Sequence, residues 1–179
     1  FMSDATRIFL VGPMGAGKTT IGRHLASVLQ LPFIDTDHEI EQRSGADIPW
    51  IFDVEGEQGF RDREHKVLYD ICQSSPAVIA TGGGIIVREE NRQLLNQFGT
   101  SVFLQTSVSQ QLRRTGNDRS RPLLNEGDPA QILENLMTIR EPLYREVADI
   151  IVATENNKPR LTAQSIIKAL ESSCGLSKD

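Results

Sequence analysis

Residues 12–19 are the feature of the sequence that most constrains this chain. They read Gly-Pro-Met-Gly-Ala-Gly-Lys-Thr, which fits the G-x-x-x-x-G-K-[ST] pattern of a phosphate-binding P-loop. The apolar run at residues 8–11 predicts a strand before the loop, and an apolar stripe at helical spacing predicts a helix after it. The stripe consists of Ile21, Leu25, Val28 and Leu29. Strand, glycine loop and helix in this order predict a nucleotide-phosphate site rather than a chance match in a glycine-rich turn.

Each residue type in the loop suits a phosphate ligand. Glycines let backbone N–H groups turn inward and approach phosphate oxygens without a clash from a Cβ atom. The positive end of the following helix points at the same anion. Lys18 adds a mobile positive charge for the β- and γ-phosphates, and the hydroxyl of Thr19 is placed to bind Mg²⁺. The loop therefore predicts a nucleotide, but it does not predict what receives the phosphate.

Composition narrows the class of protein further. A chain of 179 residues is expected to form one domain, and the absence of an apolar run of 18 residues predicts no membrane span. The net charge of −5 argues against binding to nucleic acid or to an anionic membrane. The two cysteines, Cys72 and Cys174, lack metal-ligand spacing, and no N-terminal signal sequence is recognised. We therefore expect free thiols and a cytoplasmic location.

Short apolar runs alternate with longer helical patterns along the chain. The predicted strands are residues 8–11, 32–35, 77–81, 101–104 and 149–152. The later predicted helices are residues 55–73, 89–98, 129–147 and 161–172. Pro142 interrupts the third of these, and we expect it to kink or break a helix whose apolar stripe is Ile132, Leu136, Ile139, Leu143 and Val147. The alternation predicts an α/β fold of three layers, α/β/α, around a central parallel sheet of five strands.

Ligands of such sheets bind beyond the carboxyl ends of the strands, and two of the predicted strands end in polar or glycine-rich motifs. The second strand ends in Asp35-Thr36-Asp37. One carboxylate can reach a Mg²⁺ ion beside Thr19 and the other a substrate hydroxyl, or an aspartate can simply cap a helix near His38. The third strand ends in Gly82-Gly83-Gly84, which allows close backbone approach of a ligand or forms a flexible turn.

Several arginines offer positive charge to an anionic ligand. Arg61 and Glu64 are three residues apart on a predicted helix, so they form either a surface ion pair or a fork aimed at a carboxylate. The segment 113–121 holds four arginines, among them Arg114 and Arg121, and is either an exposed loop or a lid that closes over phosphates. Arg140 taken alone is better explained as a surface charge than as a ligand.

In this order and spacing the motifs resemble shikimate kinase, a family with the nucleoside-monophosphate-kinase-like P-loop fold. The motifs are residues 12–19, Asp35-Thr36-Asp37, Phe60-Arg61-x-x-Glu64, Gly82-Gly83-Gly84, Arg121-Pro122-Leu123-Leu124 and Arg140-x-Pro142-Leu143-Tyr144. The resemblance covers residues 8–170 and implies a monomer with one domain over residues 1–179. Within this domain it implies a core at residues 7–35 and 77–179, a substrate-binding region at about 36–64 and a mobile lid at about 114–126.

The resemblance implies transfer of the γ-phosphate of MgATP to the 3-hydroxyl of shikimate, a step towards chorismate and the aromatic amino acids. ATP and Mg²⁺ would be the cofactors. The implied nucleotide-binding residues are Gly15, Ala16, Gly17, Lys18, Thr19, Thr20, Arg114, Arg121 and Asn157. Thr19 and Asp35 would serve the metal, and Asp37, Arg61, Gly83 and Arg140 would bind shikimate. Lys18, Asp37 and Arg121 would carry the catalysis.

Three other readings remain open from the sequence. A gluconate or nucleotide kinase would share the P-loop, although Gly82-Gly83-Gly84 and the Arg61 motif match shikimate kinase better. A sensor without activity is disfavoured because Lys18, Asp35 and Asp37 are all present. A mechanical ATPase is disfavoured because the third predicted strand ends in glycines without a Walker-B acidic residue, and because the short chain lacks the extra elements that assemble such proteins into rings.

Overall fold

The computed structural model of the chain describes residues 6–115, 127–154 and 158–174. Its centre is a sheet of five parallel strands in the order β2-β3-β1-β4-β5. The strands are β1 (Arg7–Val11), β2 (Phe33–Asp35), β3 (Val78–Ala80), β4 (Gly99–Gln105) and β5 (Ile150–Ala153). Because β1 lies in the middle of the sheet, the loop that follows it opens at the centre of the carboxyl edge, where ligands of such sheets bind.

Seven α-helices and one 3₁₀ turn connect these strands within the described ranges. They are α1 (Lys18–Leu29), α2 (Thr36–Ser44), α3 (Ile48–Cys72), the 3₁₀ turn (Ile85–Val87), α4 (Glu89–Phe98), α5 (Val108–Thr115), α6 (Pro129–Val147) and α7 (Pro159–Cys174). The five strand predictions are confirmed, and each end of each strand agrees with its prediction to within two residues. The helix predicted at residues 55–73 was too short, since α3 begins at Ile48. Residues 113–115, predicted to begin an exposed loop or a lid, form the last turn of α5.

Two apolar cores lie on opposite faces of the sheet. Alternate residues of β1 point to opposite sides, so Phe9 packs with α3, α4 and α6 while Leu10 packs with α1 and α7. Strand residues in the sheet centre are fully buried on both sides, for example Val102 and Phe103. Burying each such side chain contributes about 1.5–3 kcal/mol. The predicted α/β/α layering is therefore confirmed.

Two predicted apolar stripes are partly wrong. Val28 is 63% exposed although Ile21 and Leu25 of the same helix are buried, because the buried face of α1 is narrower than the stripe. Ile139 is 64% exposed, since the face of α6 turned to the core passes through Arg140 and Tyr144 instead. Counting apolar residues alone missed this face because one of its buried members is an arginine.

Pro142 does not break α6, so the expectation that it would kink or break the helix is wrong for the break. The helix runs from Pro129 to Val147 across it. Pro142 has no N–H, so the carbonyl of Thr138 loses its helical hydrogen bond. Because Thr138 and Pro142 are both exposed, water can donate to that carbonyl instead.

Helix α3 has two parts that meet at Gly56. This residue has φ 74° and ψ 178°, values outside the helical region that glycine adopts without a steric penalty. Across the break, the guanidinium of Arg63 donates to both carboxylate oxygens of Glu55, at 2.7 and 2.8 Å. The second part carries Arg61 and Glu64 and is buried against the sheet. No helix of the described residues is long and apolar enough to cross a membrane.

Candidate active site

The P-loop joins the end of β1 to the start of α1. Gly15 and Gly17 have φ of 81° and 87°, left-handed values that turn backbone N–H groups inward. The ammonium of Lys18 donates to the carbonyls of Gly12 (2.6 Å) and Pro13 (2.9 Å), which holds the charge over the loop. Helix α1 has no acidic residue in its first turn, so its positive end remains available to an anion.

A cavity of about 230 Å³ lies over this loop and holds most of the predicted site residues. Its lining residues are Gly15, Gly17, Lys18, Thr19, Thr20, Asp35, Asp37, Thr81, Gly82, Gly83, Arg114 and Thr115. Ala16 is not among them. Its side chain is fully buried in the core shared with α1 and α7, and its N–H donates to the carbonyl of Pro13 at 3.3 Å.

Thr19 and Asp35 meet at one wall of the cavity. The hydroxyl of Thr19 donates to Oδ2 of Asp35 at 2.8 Å. The other oxygen, Oδ1, accepts from the backbone N–H groups of Asp37 (3.0 Å) and His38 (3.2 Å) and so caps α2. The helix-cap interpretation of this motif is therefore confirmed. The other oxygen of Asp35 faces Thr19, and its role towards a metal stays a prediction.

Asp37 lies against the glycine run at the end of β3. A Cβ atom on Gly82 would lie 2.8 Å from Oδ1 of Asp37 and 2.9 Å from Oε2 of Glu64. Any larger residue would therefore collide with both carboxylates. The fully buried hydroxyl of Thr36 accepts from the Gly82 N–H at 3.0 Å, which fixes the start of α2 to the glycine run.

Arg61 and Glu64 form a buried pair rather than a surface one. They are 5% and 0% exposed, and Nη1 of Arg61 donates to Oε1 of Glu64 at 2.9 Å. Nη2 also donates to Glu57, at 3.4 Å. A Cβ atom on Gly84 would lie 2.6 Å from Cζ of Arg61, so the guanidinium rests directly on the glycine run.

Arg140 approaches the same run from α6. It is 6% exposed, so the interpretation of this residue as a surface charge was wrong. A Cβ atom on Gly83 would lie 3.5 Å from Nη1 of Arg140. The hydroxyl of Tyr144, one helical turn further on, donates to the carbonyl of Gly83 at 2.5 Å. The glycine run therefore has two buried guanidinium groups against it, from α3 and α6.

Burial perturbs two titratable groups of this cluster. It is the largest of the influences that raise the pKa of Glu64 to about 7; Arg61 opposes the rise, and the negative charge of Asp37 adds to it. Burial likewise raises the pKa of Tyr144 to about 12, against the opposing charge of Arg140. Tyr144 is therefore a neutral hydrogen-bond donor at physiological pH, whereas Glu64 has a pKa close to that pH.

Arg114 connects the P-loop to a second cavity. Its Nη1 donates to the carbonyl of Gly15 at 2.8 Å. It lines the cavity over the P-loop and an adjoining one of about 210 Å³, bounded by Thr154, Pro159 and Thr162. Arg121, Asn157 and most of the predicted lid lie outside the described residues.

Sequence reasoning missed several residues that shape the site. Thr36 was treated as a spacer between two aspartates, and Tyr144 only as part of a family motif. Gln111 of α5, which is 1% exposed, donates through Nε2 to the carbonyl of Met14 at 2.9 Å and had no sequence signal at all. The i, i+4 spacing of Arg140 and Tyr144 was the one available sign that they share a face.

The fold and this site define a small P-loop kinase. The family model described as shikimate kinase matches residues 14–171. The chain is 56% identical to the shikimate kinase of Pseudomonas paraeruginosa over 163 residues, which cover 91% of this chain and 95% of that protein. It is also 56% identical to the shikimate kinase of Chromohalobacter salexigens over 167 residues, 93% of each. The chain therefore belongs to the shikimate kinase family.

A solved structure agrees with this assignment. The shikimate kinase from Acinetobacter baumannii in complex with shikimate superposes with a TM-score of 0.92 at 51% identity, covering 94% of both chains. The predicted resemblance is therefore confirmed for family and fold.

Proposed function

We propose that the chain transfers the γ-phosphate of MgATP to the 3-hydroxyl of shikimate and releases ADP and 3-phosphoshikimate, a step towards chorismate and the aromatic amino acids. One observation carries this proposal. A phosphate cradle and two buried arginines meet at Gly82–Gly84, and Asp37 lies against Gly82. A site of this kind suits an acceptor that has a carboxylate at one end and hydroxyls at the other.

The nucleotide side of the site is the P-loop. The backbone N–H groups of residues 15–20 and the positive end of α1 would hold the phosphates. Lys18 would exchange its two loop carbonyls for phosphate oxygens, which offer it full negative charge. The contact of Arg114 with Gly15 and with the second cavity supports a place for the adenine there. Arg121 and Asn157 stay predictions on this side.

Thr19 and Asp35 fit a magnesium ion. A hydroxyl and a carboxylate oxygen 2.8 Å apart are hard oxygen donors, and Mg²⁺ prefers few protein ligands, retained water and substrate phosphate oxygens. When bound, the ion would neutralise charge on the phosphates. Thr19 would bind it directly and Asp35 through water.

The acceptor side is built from Asp37, Arg61, Gly83 and Arg140. The two guanidinium groups would hold the carboxylate of shikimate, and their burial strengthens the interaction by excluding water. The backbone of Gly83, fixed by Tyr144, would contact the ring hydroxyls. Asp37 would accept a hydrogen bond from the 3-hydroxyl and receive its proton.

Charge neutralisation should matter more than proton removal in this reaction. The transition state of phosphoryl transfer is loose, with negative charge spread over the transferred group. We therefore expect Lys18→Met, and likewise loss of Arg121, to lower kcat more than Asp37→Asn does at saturating substrates. If Asp37→Asn lost far more kcat with intact binding, the proposed order of these roles would be wrong.

A coupled assay of ADP release tests the proposed function. The chain is mixed with MgATP and separately with shikimate, quinate, gluconate or AMP. ADP release that requires shikimate supports the proposal. No release of ADP in the absence of an acceptor indicates that the closed site excludes water. Release with gluconate or AMP instead would keep the phosphate cradle but contradict the acceptor roles of Asp37, Arg61 and Arg140.

Other expectations stay predictions. They are a monomer, a cytoplasmic location, and the division into core, substrate-binding region and lid. Size-exclusion chromatography with light scattering tests the first, and localisation of a tagged chain tests the second. Limited proteolysis with and without MgATP and shikimate tests the third, because cleavage at a lid should slow when both ligands are bound.

A further inference from the structure

The carboxyl group of Glu64 is fully buried, yet only one of its oxygens is paired. Oε1 accepts from Arg61 at 2.9 Å. Oε2 accepts no hydrogen bond from any residue in the described ranges and is aimed at Gly82. Oδ1 of Asp37 approaches the same point from α2. The carboxyl groups of Glu64, on α3, and Asp37, on α2, therefore both lie close to Gly82 at the acceptor side of the site.

Among the described residues, four charged or titratable groups act on Glu64. They are Arg61 on its own helix, Asp37 on α2, and Arg140 and Tyr144 on α6. The glycine run and the 3₁₀ turn contribute none, and Glu90 of α4 lies against His65, at 3.7 Å. With Tyr144 neutral, the guanidinium groups of Arg61 and Arg140 balance the carboxylates of Glu64 and Asp37 when both are ionised. The other carboxylate on Arg61, Glu57, is half exposed to solvent. Burial nevertheless raises the pKa of Glu64 to about 7, so its ionised and neutral forms are about equally populated at neutral pH.

A bound carboxylate would upset this balance. It adds a third negative charge to a region where Arg61 and Arg140 are 5% and 6% exposed, so solvent screens the charge poorly. It also competes with Glu64 for the donors of Arg61. Both effects disfavour an ionised Glu64, whose second oxygen has no donor to stabilise it.

We propose that Glu64 takes up one proton from solvent when the site binds an acceptor that carries a carboxylate, which restores the balance of buried charge. The proposal rests on the proposed function, because that function places the acceptor's carboxylate on Arg61 and Arg140. Protonation also gives Oε2 or Oε1 a hydrogen to donate towards Asp37 or the bound anion. Affinity for the acceptor should accordingly fall as pH rises above about 7, by up to tenfold for each pH unit.

Titration calorimetry with shikimate, without nucleotide, measures this uptake directly. Binding is followed at pH 8 in HEPES and in Tris, which differ in ionisation enthalpy; phosphate buffer is avoided because the P-loop would bind it. The difference in heat between the buffers gives the number of protons taken up. We expect about half a proton or more per site. Glu64→Gln, which mimics the protonated group, should bind shikimate with no uptake and with affinity independent of pH between 7 and 9.

Glu57→Gln is the matched control. Glu57 is the other carboxylate on Arg61, but its side chain is 51% exposed, so this variant should keep the uptake of the unmodified chain. The unmodified chain gives a second test that needs no variant. Its uptake should vanish near pH 5.5, where Glu64 already holds the proton before binding.

The outcomes separate this inference from the proposed function. Shikimate binding with the same heat in both buffers at pH 8 would overturn proton uptake and leave the proposed function intact. Uptake that persists in Glu64→Gln, or in the unmodified chain at pH 5.5, would place the proton elsewhere and overturn the role of Glu64. No binding of shikimate at all would overturn both.

Discussion

Replacing Glu64 with glutamine should stabilise the folded chain at alkaline pH and leave its stability near pH 4 almost unchanged. The pKa of Glu64 is about 7 in the folded chain, against an ordinary value of 4.5 that applies once the chain unfolds. Between these values the folded state holds a proton that the unfolded state has released. The contribution of Glu64 to the free energy of unfolding is therefore greatest below pH 4.5, and it is lost as the pH rises from 4.5 through 7.

The size of the effect follows from the two pKa values. At 1.36 kcal/mol for each factor of ten, a rise from 4.5 to about 7 corresponds to about 3 kcal/mol. Glutamine carries no charge to bury, and its amide oxygen can still accept from Arg61. The free energy of unfolding of Glu64→Gln, minus that of the unmodified chain, should therefore increase by about 3 kcal/mol between pH 4 and pH 8.

Urea unfolding followed by circular dichroism at pH 4, 5, 6, 7 and 8 measures this difference. The control is Glu57→Gln, because that half-exposed carboxylate also contacts Arg61 but stays in solvent. The control should show no comparable change with pH. A difference between Glu64→Gln and the unmodified chain that stays constant from pH 4 to 8 would refute the reasoning, because Glu64 would then ionise equally in both states.

Three further predictions concern the site. Thr36→Val leaves the buried N–H of Gly82 without its acceptor and should cost about 1–3 kcal/mol in urea unfolding, whereas Thr36→Ser should recover most of it; equal loss in both would contradict the hydrogen bond. Arg140→Ala should raise the KM for shikimate about 10- to 100-fold, while Arg145→Ala, on the exposed face of the same helix, should not; steady-state kinetics decides between them. Asp35→Asn should raise the Mg²⁺ concentration for half-maximal rate about tenfold or more, and an unchanged requirement would remove Asp35 from the metal site.

The fold could be predicted from sequence because its signals are local. Each strand is a short apolar run, and the P-loop pattern places one of them before a helix. The position of β1 at the centre of the sheet requires pairing partners far along the chain, which local patterns do not contain. The break at Gly56 was also missed, because a glycine inside a helical pattern is often tolerated.

Site residues could be predicted where their type and spacing suit only one kind of chemistry. They could not be predicted where the role of a residue depends on whether the fold buries it. Lys18 and Thr19 belong to a pattern whose chemistry is specific. Arg140 looked like a surface charge because an arginine on a helix usually is one; only the packing of α6 against the glycine run buries it. The pKa of Glu64 likewise depends on α2, α3 and α6 meeting at one point, which no single segment of the sequence encodes.

The measurement that most directly tests the central claim is the identity of the phosphorylated product. The chain is incubated with MgATP and shikimate, and the mixture is followed by ³¹P NMR. The account predicts that the γ-phosphate signal is replaced by ADP and one phosphate ester at the 3-hydroxyl of shikimate, with little inorganic phosphate. Inorganic phosphate as the main product, or an ester at another hydroxyl, would contradict the placement of the acceptor between Asp37 and the two buried arginines.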